Sequence, residues 1–134
     1  MKTPALERAA DVVVLVVDDE FEFAETCARL LTRRGYRVVT AGSCESGQAA
    51  LLEASPALLV SDLRLRDGDG LALVRAATGL RPPVPAIVMS GYVSEKNRAA
   101  ALAAGAAAFL SKPFTADVFA RTVEQALNRA ASPD

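Results

Sequence analysis

Histidine and tryptophan are absent from the 134 residues. Without histidine the chain has no imidazole nucleophile, base or metal ligand, so any phosphohistidine in its chemistry belongs to a partner. The two cysteines, Cys27 and Cys44, form no Cys-x-x-Cys pair and have no metal-ligand spacing. That argues against a zinc site or a dithiol redox centre, and the intracellular cast of the composition disfavours a disulfide between them. The longest strand-like apolar run, Val12 to Val17, is far too short to span a bilayer, and no secretory signal core precedes it. Charge of either sign is not in excess: 15 Lys and Arg against 16 Asp and Glu leave a net charge of −1. That balance argues against a dedicated nucleic-acid or anionic-membrane surface. A soluble cytoplasmic setting is expected.

What is present is apolar. Hydrophobic residues make up 51% of the chain, which excludes global disorder, and the length suits one domain around one core. Residues 1–11 are polar and Ala-rich and read as a lead-in with one helical turn. The β-branched run 12–17 has the pattern of a strand buried on both faces. Phe23, Cys27, Leu30 and Leu31 then recur at helical spacing, and Gly35 marks a helix end. The pattern repeats: strand 36–40, helix 43–54 capped by Ser43, strand 57–61, a charged glycine loop 62–69, helix 70–78 closed by Gly79. Strand 86–89, a helix capped by Ser94 and ending before Gly105, strand 107–111 and a helix from Thr115 to about Arg129 complete it. Five β-α units imply a parallel sheet with helices on both faces, an α/β fold. One domain spans 12–129, with 130–134 as a tail.

In such a sheet the strand C-termini meet along one edge, so polar residues far apart in sequence converge there. Asp18, Asp19 and Glu20 follow the first strand. Alone they read equally well as helix N-terminal acids favoured by the macrodipole. Two adjacent carboxylates, Asp18 and Asp19, facing a third from Asp62 make a hard-oxygen site suited to magnesium. Asp62 ends the third strand with no helix to cap for several residues, which makes it a candidate nucleophile, since aspartate forms an acyl phosphate. Lys112 at the fifth strand end is either a solvated charge or a partner for Asp62 and a phosphoryl oxygen. Ser90 is either a turn residue before Gly91 or a hydroxyl donor to that oxygen. Asp67, Gly68, Asp69 and Gly70 read as turn formers and a helix start, without chemistry of their own.

Five strings, in order, resemble the receiver domain of bacterial two-component response regulators: Val-Leu-Val-Val-Asp-Asp-Glu at 14–20, Ser-Asp-Leu-Arg-Leu at 61–65, Asp-Gly-Leu at 69–71, Val-Met-Ser-Gly at 88–91 and Ala-Phe-Leu-Ser-Lys-Pro-Phe at 108–114. The resemblance covers about residues 12–129. It implies a flavodoxin-like, doubly wound fold: a five-stranded parallel sheet in the order 2-1-3-4-5 with five helices. By the same resemblance Asp62 is the phosphoacceptor. Asp18, Asp19, Asp62 and the backbone carbonyl of Arg64 hold Mg2+. Ser90 and Lys112 bind the phosphoryl group, Phe109 is the switch aromatic, and the Lys112–Pro113 bond is cis.

The implied function is a phosphorylation-dependent signalling switch, not a turnover enzyme. It catalyses only its own phosphorylation and dephosphorylation. Its donor is a histidine kinase or histidine phosphotransfer domain, and its changed surface is the fourth helix, fifth strand and fifth helix, through which a homodimer can form. The output is unspecified. The strings Met-Ser-Gly-Tyr and Phe-Leu-Ser-Lys-Pro-Phe look more like receivers attached to hybrid histidine kinases, and neither nucleic acid nor a membrane is an expected partner. The Ala-rich fourth helix (Ala99, Ala100, Ala101, Ala103, Ala104) suits close approach of a partner helix, yet alanine is also the best helix former.

Two departures stand out. Arg66 takes a position where many relatives carry proline, so a more mobile loop is expected. Arg64 and Tyr92 lie two residues past the phosphoacceptor and the switch hydroxyl, and a stack of cation on ring between them would limit attack by water. Two other function classes compete. An aspartyl-nucleophile phosphatase would carry an Asp-x-Asp pair on its first strand, which is lacking here. A pure interaction module would not need the acidic pair, Asp62, Ser90 and Lys112 together.

Overall fold

The computed structural model describes residues 12–92 and 94–131. The lead-in 1–11 and the last residues of the tail, 132–134, lie outside them. Five strands, β1 (Val13–Val17), β2 (Arg37–Ala41), β3 (Leu58–Asp62), β4 (Ala86–Ser90) and β5 (Ala108–Ser111), form one parallel sheet in the order β2-β1-β3-β4-β5. The helices are α1 (Phe21–Arg33), α2 (Cys44–Glu53), α3 (Gly70–Thr78), α4 (Glu95–Ala103) and α5 (Ala116–Ala131). The expected order 2-1-3-4-5 is therefore the observed one, and α5 runs two residues past the expected end.

Alternation along the strands sorts the core into two layers. Val14, Val16, Leu58, Val60, Ile87 and Met89 face α1 and α5, where Cys27, Leu31, Phe119 and Val123 meet them. Leu15, Val17, Leu59, Ala86 and Val88 face α2, α3 and α4, where Leu51, Leu73, Val74 and Ala101 meet them. Both faces of β1, β3 and β4 are thus covered, which is why their sequences read as continuous apolar runs. Cys27 and Cys44 are both free thiols and belong to opposite layers, so the sheet itself separates them.

The helix ends follow from local chemistry. Gly35, at φ 94°, and Gly105, at φ 107°, each close a helix in the left-handed conformation. The paired bonds Gly35 N–H to Thr32 O and Tyr36 N–H to Leu31 O make a Schellman ending, and Gly105 with Ala106 repeats it on α4. Tyr36 is thereby tied to α1, so β2 starts at Arg37 and not at Tyr36. Gly79 differs from expectation: its φ is −82°, and α3 ends without a left-handed residue. Ser43, Ser94 and Thr115 accept backbone N–H bonds at the starts of α2, α4 and α5 as expected. The loop after β3 is not wholly irregular: Arg64–Leu65 pairs with Gly68–Asp69 as a minimal antiparallel hairpin. The Arg81–Pro82 and Lys112–Pro113 bonds are cis.

Candidate functional site

The C-terminal ends of β1, β3 and β5 bring one cation among several anions. Carboxylate oxygens of Asp18, Asp19 and Asp62 lie within 4.8 Å of one another. Lys112 Nζ donates to Asp18 Oδ2 at 2.8 Å and stands 3.5 Å from Asp62 Oδ1 and 3.9 Å from Glu20 Oε1. The lysine is held from behind. Its backbone N–H donates to Ser90 O, and its ammonium lies 4.2 Å from the ring centre of Phe23, a cation–π contact. Phe23 in turn meets Phe114 edge-on, and Phe114 stacks on the buried Phe119.

Each acid is oriented separately. Asp18 is buried, and its other oxygen accepts Glu20 N–H at 2.9 Å. Asp19 accepts the backbone N–H of Arg66 at 3.0 Å. Asp62 accepts Leu63 N–H at 3.1 Å and is the last residue of the β3–β4 ladder, opposite Met89. Burial pushes the Asp62 carboxyl up to about 6, with the Asp18 charge pushing the same way and Lys112 and the Leu63 N–H opposing. Burial alone would lower the Lys112 ammonium, but the hydrogen bond and charge of Asp18, joined by Asp62 and Glu20, leave it raised. Three carboxylates and one ammonium carry a formal charge of −2. A hard divalent cation fits that donor set, and its charge matches the excess.

Ser90 is buried, and its hydroxyl is engaged with the Tyr92 backbone, donating to the carbonyl and accepting from the N–H, both at 3.0 Å. It holds a turn here, and its one O–H is already committed to the Tyr92 carbonyl. Phe109 is half-buried against the α2–α4 layer. The expected Arg64–Tyr92 stack is not formed. Both side chains are exposed, and among the described residues the cation–π contact is Lys112 on Phe23. Arg66 stands where a more mobile loop is expected, and its backbone bonds to the acidic cluster. The N–H it donates to Asp19 is one that proline lacks, so the residue trades ring stiffness for an anchor.

Three contributors escaped the sequence reading. Phe23 was assigned to the core by its spacing, and only the fold turns its ring toward Lys112. Gly70 was read as a turn former. Its need is space, because a Cβ there would sit 1.9 Å from the backbone oxygen of Asp62. Asp67 was read as a turn residue, yet its carboxylate bonds to α2, 23 residues earlier. Among the described residues no helix is long and apolar enough to cross a membrane.

Residues 14–124 match the family described as the response regulator receiver domain. The photosynthetic apparatus regulatory protein RegA of Rhodobacter capsulatus is 37% identical over 111 residues, covering 83% of this chain and 60% of the relative. The chain thus spans about three-fifths of the length of that curated relative. Among solved structures, a response regulator of Burkholderia pseudomallei carrying a phosphorylated aspartic acid and a calcium ion superposes with a TM-score of 0.80 at 29% identity, over 89% of this chain and 70% of that one. The beryllofluoride-activated NtrC4 receiver domain dimer gives 0.83 at 29% identity, over 89% and 98%.

Proposed function

The chain belongs to the response regulator receiver domain family, the phosphorylation-dependent switches of two-component signalling, and from that premise we propose that Asp62 is its phosphoacceptor. One Asp62 oxygen bonds to phosphorus as the phosphorus–nitrogen bond of a partner's phosphohistidine breaks, and the electron pair returns to the imidazole. The observation that carries this is Lys112 Nζ lying 2.8 Å from Asp18 and 3.5 Å from Asp62, with the three carboxylates clustered beside it. Asp18, Asp19, Asp62 and the Arg64 carbonyl would hold Mg2+. Bound there, the ion supplies neutralisation of the charge on the transferring group. Lys112 would pair with a phosphoryl oxygen, and the domain would turn over no separate substrate.

The phosphoryl group adds about −1.5 to −2 charge at the sheet edge. Ser90 would exchange its donated bond to the Tyr92 carbonyl for one to a phosphoryl oxygen, and Phe109 would fill the space behind it, altering α4, β5 and α5. Driving a mostly-off population mostly on takes about 5.5 kcal/mol of differential binding. Charge-assisted hydrogen bonds of about 1.5–3 kcal/mol each supply that when two or three form. Arg64 and Tyr92, unstacked and exposed near the site, would set the acyl-phosphate lifetime independently. A histidine kinase or phosphotransfer domain is the donor, the cytoplasm is the setting, and the curated relatives' greater length fits an attached output. The α4–β5–α5 face is a dimerisation surface by the same reading.

The test is incubation with acetyl phosphate and magnesium, followed by intact mass. Wild type gains a phosphoryl group and Asp62→Asn does not. A gain of equal size in Asp62→Asn would falsify the assignment.

A further inference from the structure

The start of α2 is capped from two directions. Ser43 Oγ accepts the Ser46 N–H, and Ser46 Oγ accepts the Ser43 N–H. The two remaining free donors of that turn are taken by a residue from elsewhere: Asp67 Oδ1 accepts Cys44 N–H at 2.8 Å, and Oδ2 accepts Glu45 N–H at 3.1 Å. All four N-terminal donors are therefore satisfied. The same two bonds hold the Asp67 carboxyl below the usual carboxylate range. Its neighbours reinforce the joint. Cys44 Sγ donates to Asp69 O at 3.4 Å, and a Cβ on Gly68 would meet that sulfur at 3.3 Å. One residue before Asp67, the Arg66 N–H holds Asp19.

The loop after β3 is thus stitched on one side to a carboxylate of the acidic cluster and on the other to the first turn of α2. We propose that Asp67 is a positioning residue, fastening this loop to α2 so that the Asp19 carboxylate and the Arg64 carbonyl are held ready for the cation. The role rests on the phosphoacceptor reading above. Asp67 touches neither the cation nor the phosphoryl group. It acts through Arg66 and the hairpin at 64–69. Without it, the Cys44 and Glu45 N–H groups turn to water, and of the bonds that tie the loop to Asp19 and to α2 those of the Arg66 N–H and Cys44 Sγ remain.

The experiment compares the full chain as wild type, Asp67→Ala, Asp67→Asn and Ser43→Ala. Mg2+ affinity is measured by isothermal titration calorimetry, and amide hydrogen exchange at Cys44, Glu45 and 64–70 is measured without metal. Asp67→Ala is expected to weaken Mg2+ binding about tenfold, as loss of an outer-shell support does, and to speed exchange across the loop. Asp67→Asn keeps an acceptor for one N–H and falls between, and it carries the test if the alanine variant does not fold. Ser43→Ala loosens the same helix end without touching the loop, so its Mg2+ affinity stays at the wild-type value. Wild-type affinity in Asp67→Ala and Asp67→Asn overturns the role, as does an equal loss in Ser43→Ala. Failure of wild type itself to bind Mg2+ sinks the phosphoacceptor reading instead.

Discussion

Replacing Asp62 by asparagine should stabilise the metal-free fold. The Asp62 side chain is 14% exposed, and another carboxylate, Asp18, raises the cost of its charge. Its carboxyl is pushed from 3.8 to about 6 in the folded chain, a displacement worth about 3 kcal/mol when the group is ionised in both states. Lys112 is already counted on the opposing side, and in the variant it keeps Asp18 at 2.8 Å. The sign follows from linkage. A carboxyl raised on folding contributes most below its unfolded value, near 4, and that contribution is lost as pH rises through about 6. Asparagine resembles the neutral form, so the two proteins should melt together near pH 4. At pH 7.5 in chelator, the variant should melt higher by about 10 °C, since a chain of this size gains about 3–4 °C per kcal/mol. The assay is thermal denaturation followed by circular dichroism at both pH values, with and without magnesium. Magnesium should raise the wild-type midpoint and close the gap, because the cation offsets the repulsion that asparagine removes. A gap of the same size at pH 4 and pH 7.5, or none at either, would refute the electrostatic reasoning.

Four further outcomes follow from individual contacts. Gly70→Ala places a Cβ 1.9 Å from Asp62 O. Backbone there must move, so a loss of about 3 kcal/mol is expected in urea denaturation, with phosphorylation by acetyl phosphate lost alongside. Lys112→Met leaves the buried Asp18 carboxylate without its ammonium. A loss of about 3 kcal/mol at pH 7.5 is expected, and magnesium should raise the melting midpoint more in the variant than in wild type. Burial, with Asp18 adding to it, pushes the Cys27 thiol up to about 12, and burial also raises Cys44. Iodoacetamide at pH 8 should leave both unmodified in the native protein and alkylate both in guanidinium, as mass spectrometry reports. Cys27 also makes the fold lose stability as pH climbs from about 9 toward 12, because the unfolded thiol ionises first.

What could be read from residues alone divides by range. The strands were legible because β1, β3 and β4 are covered on both faces, and that burial writes itself as unbroken apolar runs. The cluster of Asp18, Asp19, Asp62 and Lys112 was legible because a parallel sheet brings strand C-termini to one edge whatever lies between them. Topology performs that convergence, so recognising the strands is enough. Side-chain destinations in the loops obey no such rule. Asp67 and Asp69 look alike in sequence, each an acid before a glycine. Asp69 caps its own helix through Leu71 N–H, as local turn chemistry predicts, whereas Asp67 caps α2. Nothing within a few residues separates the two. The choice is made by the approach of the loop to α2, tight enough that a Gly68 side chain would crowd Cys44 Sγ. The Arg64–Tyr92 stack failed for the converse reason. Matching positions two residues past each strand end set the starting points of the side chains, but both are exposed and nothing packs them onto each other. Arg66 joins the two ranges: its side chain is exposed, while its backbone N–H, invisible to any reading of side-chain chemistry, ties the loop to the acid cluster. The acidic residues of the site are therefore encoded by the sheet, and their orientation is encoded by backbone donors that only the packed loop presents.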